Sequence, residues 1–286
     1  MQIVMIIAVV LVALLLLAIA CVIGFFLLLA AFYVFAVKGR RNHPGMENLK
    51  NWKYAHRGLH DDEKPENSLA AFEAACSKGY GSELDVHLTK DGQLAVTHDH
   101  DLTRCTGSAE KVEELTLAQL QQYPLEGTEQ TIPSLAQVLQ VYDGKAPLII
   151  ELKVAEGNYA PLTDRVMAEL KNYSGVYCLE SFDPRCLKHL KQNYPHVVRG
   201  QLTENYLGGK APIPWYIKIA MTFQLGNFLY QPDFVAYRYE NRKHFSNTLV
   251  RKLWKIPGVA WTLKTKEDFD IAVNDGWIPI FENFEP

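Results

Sequence analysis

From Ile3 to Val37 nearly every position is Leu, Ile, Val, Ala or Phe, and no charged side chain precedes Lys38. About 20 apolar residues in a row suffice to cross the hydrocarbon of a bilayer. The pattern therefore predicts one transmembrane helix, long enough to tilt or to extend past the lipid on one side. Two spans would be cramped, because only Gly24 breaks the run. A cleaved signal peptide would show a basic start, a shorter apolar core and a small-residue cleavage site, and none of these is clear. Ala20-Cys21 has a faint likeness to a lipid-attachment site, but the basic start is missing and the apolar run continues past it. A helix-packing or lipid-facing cysteine is the plainer reading.

Beyond Gly45 the pattern changes to short apolar runs alternating with longer segments of helical period, the mark of βα units on a parallel sheet. Expected strands are residues 52–56, 82–87 continued by 94–97, 147–152, 176–181, 197–201, 234–237, 259–262 and 277–281. Segments 68–78, 134–142, 162–173, 184–193, 241–253 and 266–274 place apolar residues three and four apart, one stripe each for packing on a sheet. Asp183 and Thr265 stand where helix N-caps belong. Eight such units close a (β/α)8 barrel. The polar, aperiodic stretch 100–132 interrupts the rhythm after the second strand and reads as an insertion over the barrel mouth. The expected organisation is a 1–41 anchor with a basic stop, followed by one barrel domain over 42–286.

Composition refines this picture. Lys38, Arg40 and Arg41 follow the span and nothing basic precedes it. By the positive-inside rule a single-pass protein with a cytoplasmic barrel is expected. One of the five cysteines lies in the span; Cys76, Cys105, Cys178 and Cys186 lack the spacing of a zinc site or a disulfide scaffold and read as reduced, mostly buried thiols. A net charge of -3 argues against nucleic acid as a partner, and nothing points to an obligate protein partner.

In a (β/α)8 barrel the working groups sit at the C-terminal ends of strands. The first strand ends in His56-Arg57-Gly58, the second holds Glu83 and Asp85, its continuation ends in His98-Asp99, and the third ends in Glu151-Leu152-Lys153. Residues two apart on a strand share a face, so Glu83 and Asp85 both point inward, where unpaired carboxylates are costly unless neutralised. Two readings stand. With Glu151 they form an oxygen-rich site for Mg²⁺ or Ca²⁺, or they pair with Arg57 and Lys153 in a buried salt-bridge network. Two histidines at the same rim, beyond what stability needs, favour the first.

The stretches AHRGLHDDEKPENSLAAFEAA, SELDVHLTKDGQLAVTHDHDLTRCTG, IIELK and AWTLKT, in that order, resemble the glycerophosphodiester phosphodiesterase family across most of residues 52–286. The resemblance implies a TIM barrel with an insertion after the second strand. It also implies that His56 and His98 are the acid/base pair, that Glu83, Asp85 and Glu151 bind one divalent cation, that Arg57 and Lys153 hold the phosphate, and that Glu66 helps order the site. Arg57, Lys153 and the cation would offset charge on the phosphodiester, while the histidines move protons near neutral pH. The final strand departs from many relatives by carrying Glu282 where they place an aspartate, which puts that side of the mouth in doubt.

Phe182 and Trp261, expected just past their strands, are candidates to flank the glycerol, with core or rim packing as the alternative. Tyr237 and Arg238 read as structural, and His60 and His100 stand near the catalytic pair without a motif role. His87, His189, His196 and His244 read as surface or packing residues. The stretch 211–230 is rich in large apolar residues and carries one charge, Lys218; it reads either as an interfacial helix or as a helix buried on the barrel. The expected substrate is a small or lipid-derived phosphodiester. Two other functions are weighed: a lysophospholipase D acting on membrane lysophospholipids, and a membrane-tethered barrel that binds phosphodiesters without cleaving them.

Overall fold

The computed structural model describes residues 1–209 and 212–286. Helix α1 runs from Gln2 to Ala36, and its most apolar 18-residue window makes no contact that buries it. At about 1.5 Å per residue such a helix is about 52 Å long, more than the hydrocarbon thickness.

Among the described residues nine strands form one sheet: β1 (Tyr54–His56), β2 (Gly81–Leu88), β3 (Leu94–Val96), β4 (Leu148–Leu152), β5 (Tyr177–Ser181), β6 (Arg199–Thr203), β7 (Phe234–Arg238), β8 (Gly258–Leu263) and β9 (Trp277–Phe281). Eight run parallel in the order β1-β2-β4-β5-β6-β7-β8-β9, and the pairing of β9 with β1 closes the barrel. β3 is an extra strand, antiparallel to the end of β2.

The period of two along each strand divides the core. On β2 and β4, Leu84, Val86, Leu148, Ile150 and Leu152 face outward into a cluster with Phe72, Leu135, Val138, Leu162 and Val166 of the covering helices. Tyr54, Ile149, Cys178, Phe234, Val259 and Ile278 fill the inside. Gly200 has no side chain where the Phe234 ring crosses, so the filling closes without a clash.

The helices are α2 (Leu69–Ser77), α3 (Thr103–Thr106), α4 (Leu117–Leu120), α5 (Leu135–Tyr142), α6 (Tyr159–Leu170), α7 (Pro184–Asn193), α8 (Trp215–Thr222), α9 (Asn227–Tyr230), α10 (Phe245–Leu253) and α11 (Lys266–Asn274). Asp183 and Thr265 do cap α7 and α11. α6 starts three residues before the expected Leu162, because Pro161 is tolerated in a first turn where its missing N–H would lack a partner anyway. α10 starts at Phe245, not Asn241, since residues 239–241 form a separate 3-10 turn and His244 accepts from the Ser246 amide as the cap. β6 lies two residues beyond the expected 197–201. Arg199, inside the expected strand, is buried, its Nε donating to the Tyr230 carbonyl (2.9 Å).

The stretch 100–132 carries α3, α4 and a small apolar cluster of its own, Leu102, Cys105, Val112, Leu120, Leu125 and Ile132, built on Ala95 of β3. The expected interfacial segment begins at Ala211, which lies outside the described residues. Its remainder answers to both readings: Trp215 and Tyr216 are exposed, whereas Thr222, Asn227 and Tyr230 are buried. All five cysteines are free thiols, and Cys105, Cys178 and Cys186 are buried.

Candidate active site

β1 delivers His56 to the mouth, and the chain turns at once. Arg57 adopts φ 55° and Gly58 φ 83°, and a Cβ on Gly58 would come within 2.8 Å of Ala71 in α2. This tight turn is the physical reason for glycine after the His-Arg pair. It brings the Arg57 guanidinium between two acids, with Nη1 donating to Glu66 (2.8 Å) and Nε 3.3 Å from Asp85.

Parallel register sets the carboxylates in a row. Asp85 pairs with Glu151, and Glu151 with Glu180; His56 pairs with Glu83. Ligand atoms of Glu83, Asp85 and Glu151 lie within 4.8 Å of one another, and all three residues are buried. Lys153 Nζ reaches Asp85 (2.9 Å) and Glu151 (2.8 Å). Asn67 donates to Asp85 from the other side (2.9 Å).

Both expected readings of the acids are thus partly present: the salt bridges exist, yet they do not balance the site. Within the inward row, Glu83, Asp85, Glu151 and Glu180 face Lys153 and an Arg57 already shared with Glu66, four carboxylates against at most two cations. The imbalance shows in the protonation of the group. Burial, helped by the charges of Asp85 and Glu151, raises Glu83 well above the usual carboxylate range. Burial, opposed by Lys153, lifts Glu151 to about 7. Asp85 is also buried, but Lys153 and Arg57 outweigh that effect and hold it well below its usual value. A deficit of two positive charges among oxygen donors fits one hard divalent cation.

Each rim histidine has a carboxylate on Nδ1. His56 meets Glu282 at 2.5 Å, and its Nε2 lies 3.8 Å from Glu83. His98 meets Asp99 at 2.7 Å, and Arg104 clamps Asp99 (2.6 Å) and Glu66 (2.6 Å) together. In both rings Nε2 has no hydrogen-bond partner among the described residues. Burial lowers both, His98 to about 4, while Glu282 partly offsets the effect on His56.

Three features escaped the sequence reading. Glu282 closes the side of the mouth left in doubt, supporting His56. His87, read as a surface or packing residue, is buried, and it also links the site: Nδ1 meets Glu113 (2.8 Å), and Nε2 donates to the carbonyl of His98 (3.2 Å). His100 meets the same Glu113 oxygen (2.8 Å), so His87, Glu113 and His100 brace the loop carrying His98. Glu180 is buried, with one carboxylate oxygen unpartnered among the described residues. The only signal for it was its position two residues after Cys178 on an inward-facing strand. Phe182 and Trp261 do meet, edge to face at 5.7 Å, though Trp261 lies within β8 and not past it. A cavity of about 370 Å³ is lined by His98, Glu151, Lys153 and Phe182.

A sequence profile of the glycerophosphoryl diester phosphodiesterase family matches residues 56–284. The chain belongs to that family. A glycerophosphodiester phosphodiesterase of Caldanaerobacter subterraneus is 30% identical over 243 residues, covering 80% of this chain and 92% of that one. A lysophospholipase D of Rattus norvegicus is 35% identical over 132 residues, 42% of this chain and 40% of its own length. The barrel matches an Oleispira antarctica phosphodiesterase solved with the product sn-glycerol-3-phosphate (TM-score 0.69, 22% identity, 85% and 95% of the two chains). It also matches a putative family member from Silicibacter pomeroyi (TM-score 0.71, 20% identity, 84% and 94%); these likenesses show the fold. The protein is therefore a phosphodiesterase of the glycerophosphodiester class on a TIM barrel, with a candidate acidic metal site at its mouth.

Proposed function

We propose that the enzyme hydrolyses glycerophosphodiesters to glycerol 3-phosphate and an alcohol, using His56 and His98 for proton transfer and one divalent cation, Mg²⁺ or Ca²⁺, held by Glu83, Asp85 and Glu151. The charge deficit of the acidic row is the observation that carries this reading. The cation, when bound, supplies positive charge beside the phosphoryl oxygens. Arg57 and Lys153 add two fixed charges at the same place, stabilising the negative charge that builds in the transition state. Glu66 sets the direction of Arg57, and Phe182 and Trp261 flank the glycerol.

The two imidazoles divide the proton work. His98, held neutral by burial, is suited to take a proton from the attacking oxygen through Nε2. His56 has the Glu282 carboxylate on Nδ1, whose hydrogen bond favours the protonated ring, so it is suited to give a proton to the leaving alkoxide. The chain divides into an anchor at 1–41 and a barrel at 42–286 with the insertion at 100–132. Lys38 and Arg41 favour a single-pass protein with a cytoplasmic barrel. Arg40 counts with them although it pairs with Asp233 in the fold, because the rule counts Lys and Arg and not net charge.

A second reading is lysophospholipase D activity, favoured by the long apolar α1 and by the relative of that name. Purified protein assayed on glycerophosphocholine and on its acylated form, with Mg²⁺, Ca²⁺ or chelator, tests both. Turnover that survives chelation removes the metal reading. No turnover with any cation, together with ligand affinity that His56→Ala leaves intact, selects a binding-only barrel.

A further inference from the structure

In a (β/α)8 barrel the strands run toward the catalytic mouth and the helices run back from it. α10 therefore starts near the mouth at Phe245, and the α8–α9 segment descends from the mouth end of β6 to the start of β7. The last turn of α1 meets these elements in descending order. Tyr33 stacks on Phe245 (5.9 Å) and packs on Phe223 (6.4 Å). Phe35, lower down, packs on Phe228 of α9 (5.2 Å). Trp254, just past the foot of α10, donates to the Val34 carbonyl (2.8 Å), which points down the helix. The Val37 carbonyl accepts from Asn227 (3.4 Å). Arg40 reaches the far end, where it pairs with Asp233 (2.5 Å) before β7 and donates to the Val197 carbonyl (2.9 Å) before β6.

The chain thus travels away from the mouth between Tyr33 and Arg40, so everything before Tyr33 departs on the mouth side. That part, Gln2 to Phe32, is about 46 Å long at about 1.5 Å per residue, enough to cross the lipid. The elements that hold this end of α1 carry exposed aromatic side chains: Trp215 of α8 is 73% exposed and Tyr216 56%, the two types that settle at a membrane–water interface, and Phe245 of α10, against Tyr33, is 61% exposed. Behind Trp215 runs an apolar groove of about 830 Å³ whose walls include Tyr206, Ile213, Ile217 and Met221. Phe182 and Asp183 line both this groove and the cavity holding His98 and Lys153. The two spaces therefore adjoin.

We propose that the catalytic mouth faces the bilayer crossed by α1, and that the groove receives the acyl chain of a lysophospholipid drawn from that bilayer while its phosphodiester enters the acidic site. This rests on the phosphodiesterase reading and names the substrate class for it. A chain seated between Ile217 and Met221 loses water from its methylenes, each worth about 0.8 kcal/mol, so spoiling two such contacts costs about tenfold in kcat/KM.

The test uses the full chain in phosphatidylcholine vesicles, with lysophosphatidylcholine in the membrane and glycerophosphocholine in solution as paired substrates. Ile217→Glu and Met221→Glu are expected to lower kcat/KM about tenfold on the embedded substrate and to leave the soluble one unchanged. Equal losses on both substrates, or none on either, overturn the proposal. Wild-type turnover of glycerophosphocholine alone overturns it while the phosphodiesterase reading stands; no turnover of either substrate removes that reading as well. Fluorescence quenching by lipids brominated on the acyl chain reads the orientation directly. The conservative Trp215→Phe change is expected to remove a quenched component of the emission, and an unchanged quenching profile sinks the orientation.

Discussion

The two halves of the barrel mouth are built on opposite principles. On the side of β1, β2, β4, β5 and β9, the inward positions nearest the rim are His56, Asp85, Glu151, Glu180 and, just past β9, Glu282, and their charges do not balance locally. On the side of β6, β7 and β8, the rim charges pair off, as Arg238 does with Glu204 (2.8 Å), and the inward surface is Trp261, Phe182 reaching across from the end of β5, and the apolar walls next to α8. A surplus of buried negative charge is unstable by itself and calls for a cation. An apolar wall calls for shape. The first half is thus suited to chemistry at phosphate and the second to holding what the phosphate carries.

The largest effect expected from breaking the charged half is that of Glu151→Gln with Glu83→Gln. Losing the cation forfeits several kcal/mol of transition-state stabilisation, about 10³-fold or more in kcat, with circular dichroism unchanged. Turnover that survives the double change would mean that the acids are structural. Next comes His98→Ala, expected to cost about 10²-fold or more in kcat while substrate affinity is kept; a pure rise in KM would assign His98 to binding.

Glu282→Gln tests the support beneath His56 and is expected to cost about tenfold, in line with the loss of a partner that orients a working imidazole. Its hydrogen bond favours the imidazolium, so removing it lowers His56 further. The limb of the pH–rate profile that needs protonated His56 should move to lower pH. A uniform loss at every pH would leave Glu282 a merely structural role.

pH dependence separates the acidic row from the histidines. With Glu151 raised to about 7 from near 4.5, the folded, chelated protein binds an extra proton between those values. Stability therefore falls as pH rises through that window. His98, lowered to about 4 from 6.5, acts in the opposite sense, and its contribution is lost as pH falls through that range. Comparing chelated wild type with Glu151→Gln cancels the histidine effect. The wild-type Tm should drop relative to the variant as pH climbs toward 7, and added Mg²⁺ or Ca²⁺ should raise the wild-type Tm most at the upper end. Parallel curves would disprove the assignment.

How legible this was in the sequence depended on the kind of signal. Strand period and glycine turns are local, so every barrel strand was foreseen within two residues, and Glu83, Asp85 and Glu151 followed from it. Glu180 has no signal of its own in the sequence beyond its strand position, and Glu282 and His87 stand there without a role, because their meaning lies in partners 29, 226 and 26 residues away, Glu151, His56 and Glu113. Arg40 reads as a topological stop in the sequence, and in the fold it is also a strut to Asp233. Nothing in the apolar pattern of residues 3–37 tells on which side of the barrel the helix leaves.

The smallest effect is expected in the apolar half, and it sharpens the contrast most. Phe182 meets Trp261 edge to face at 5.7 Å, a contact worth about 0.5–1.5 kcal/mol beyond burial. Phe182→Leu keeps the site apolar but loses the edge, so KM on a glycerophosphodiester should rise by a few-fold, about threefold for about 0.7 kcal/mol, with kcat unchanged. If kcat falls instead, the ring helps place the reacting phosphate, and the division between a charged half for chemistry and an apolar half for holding does not stand.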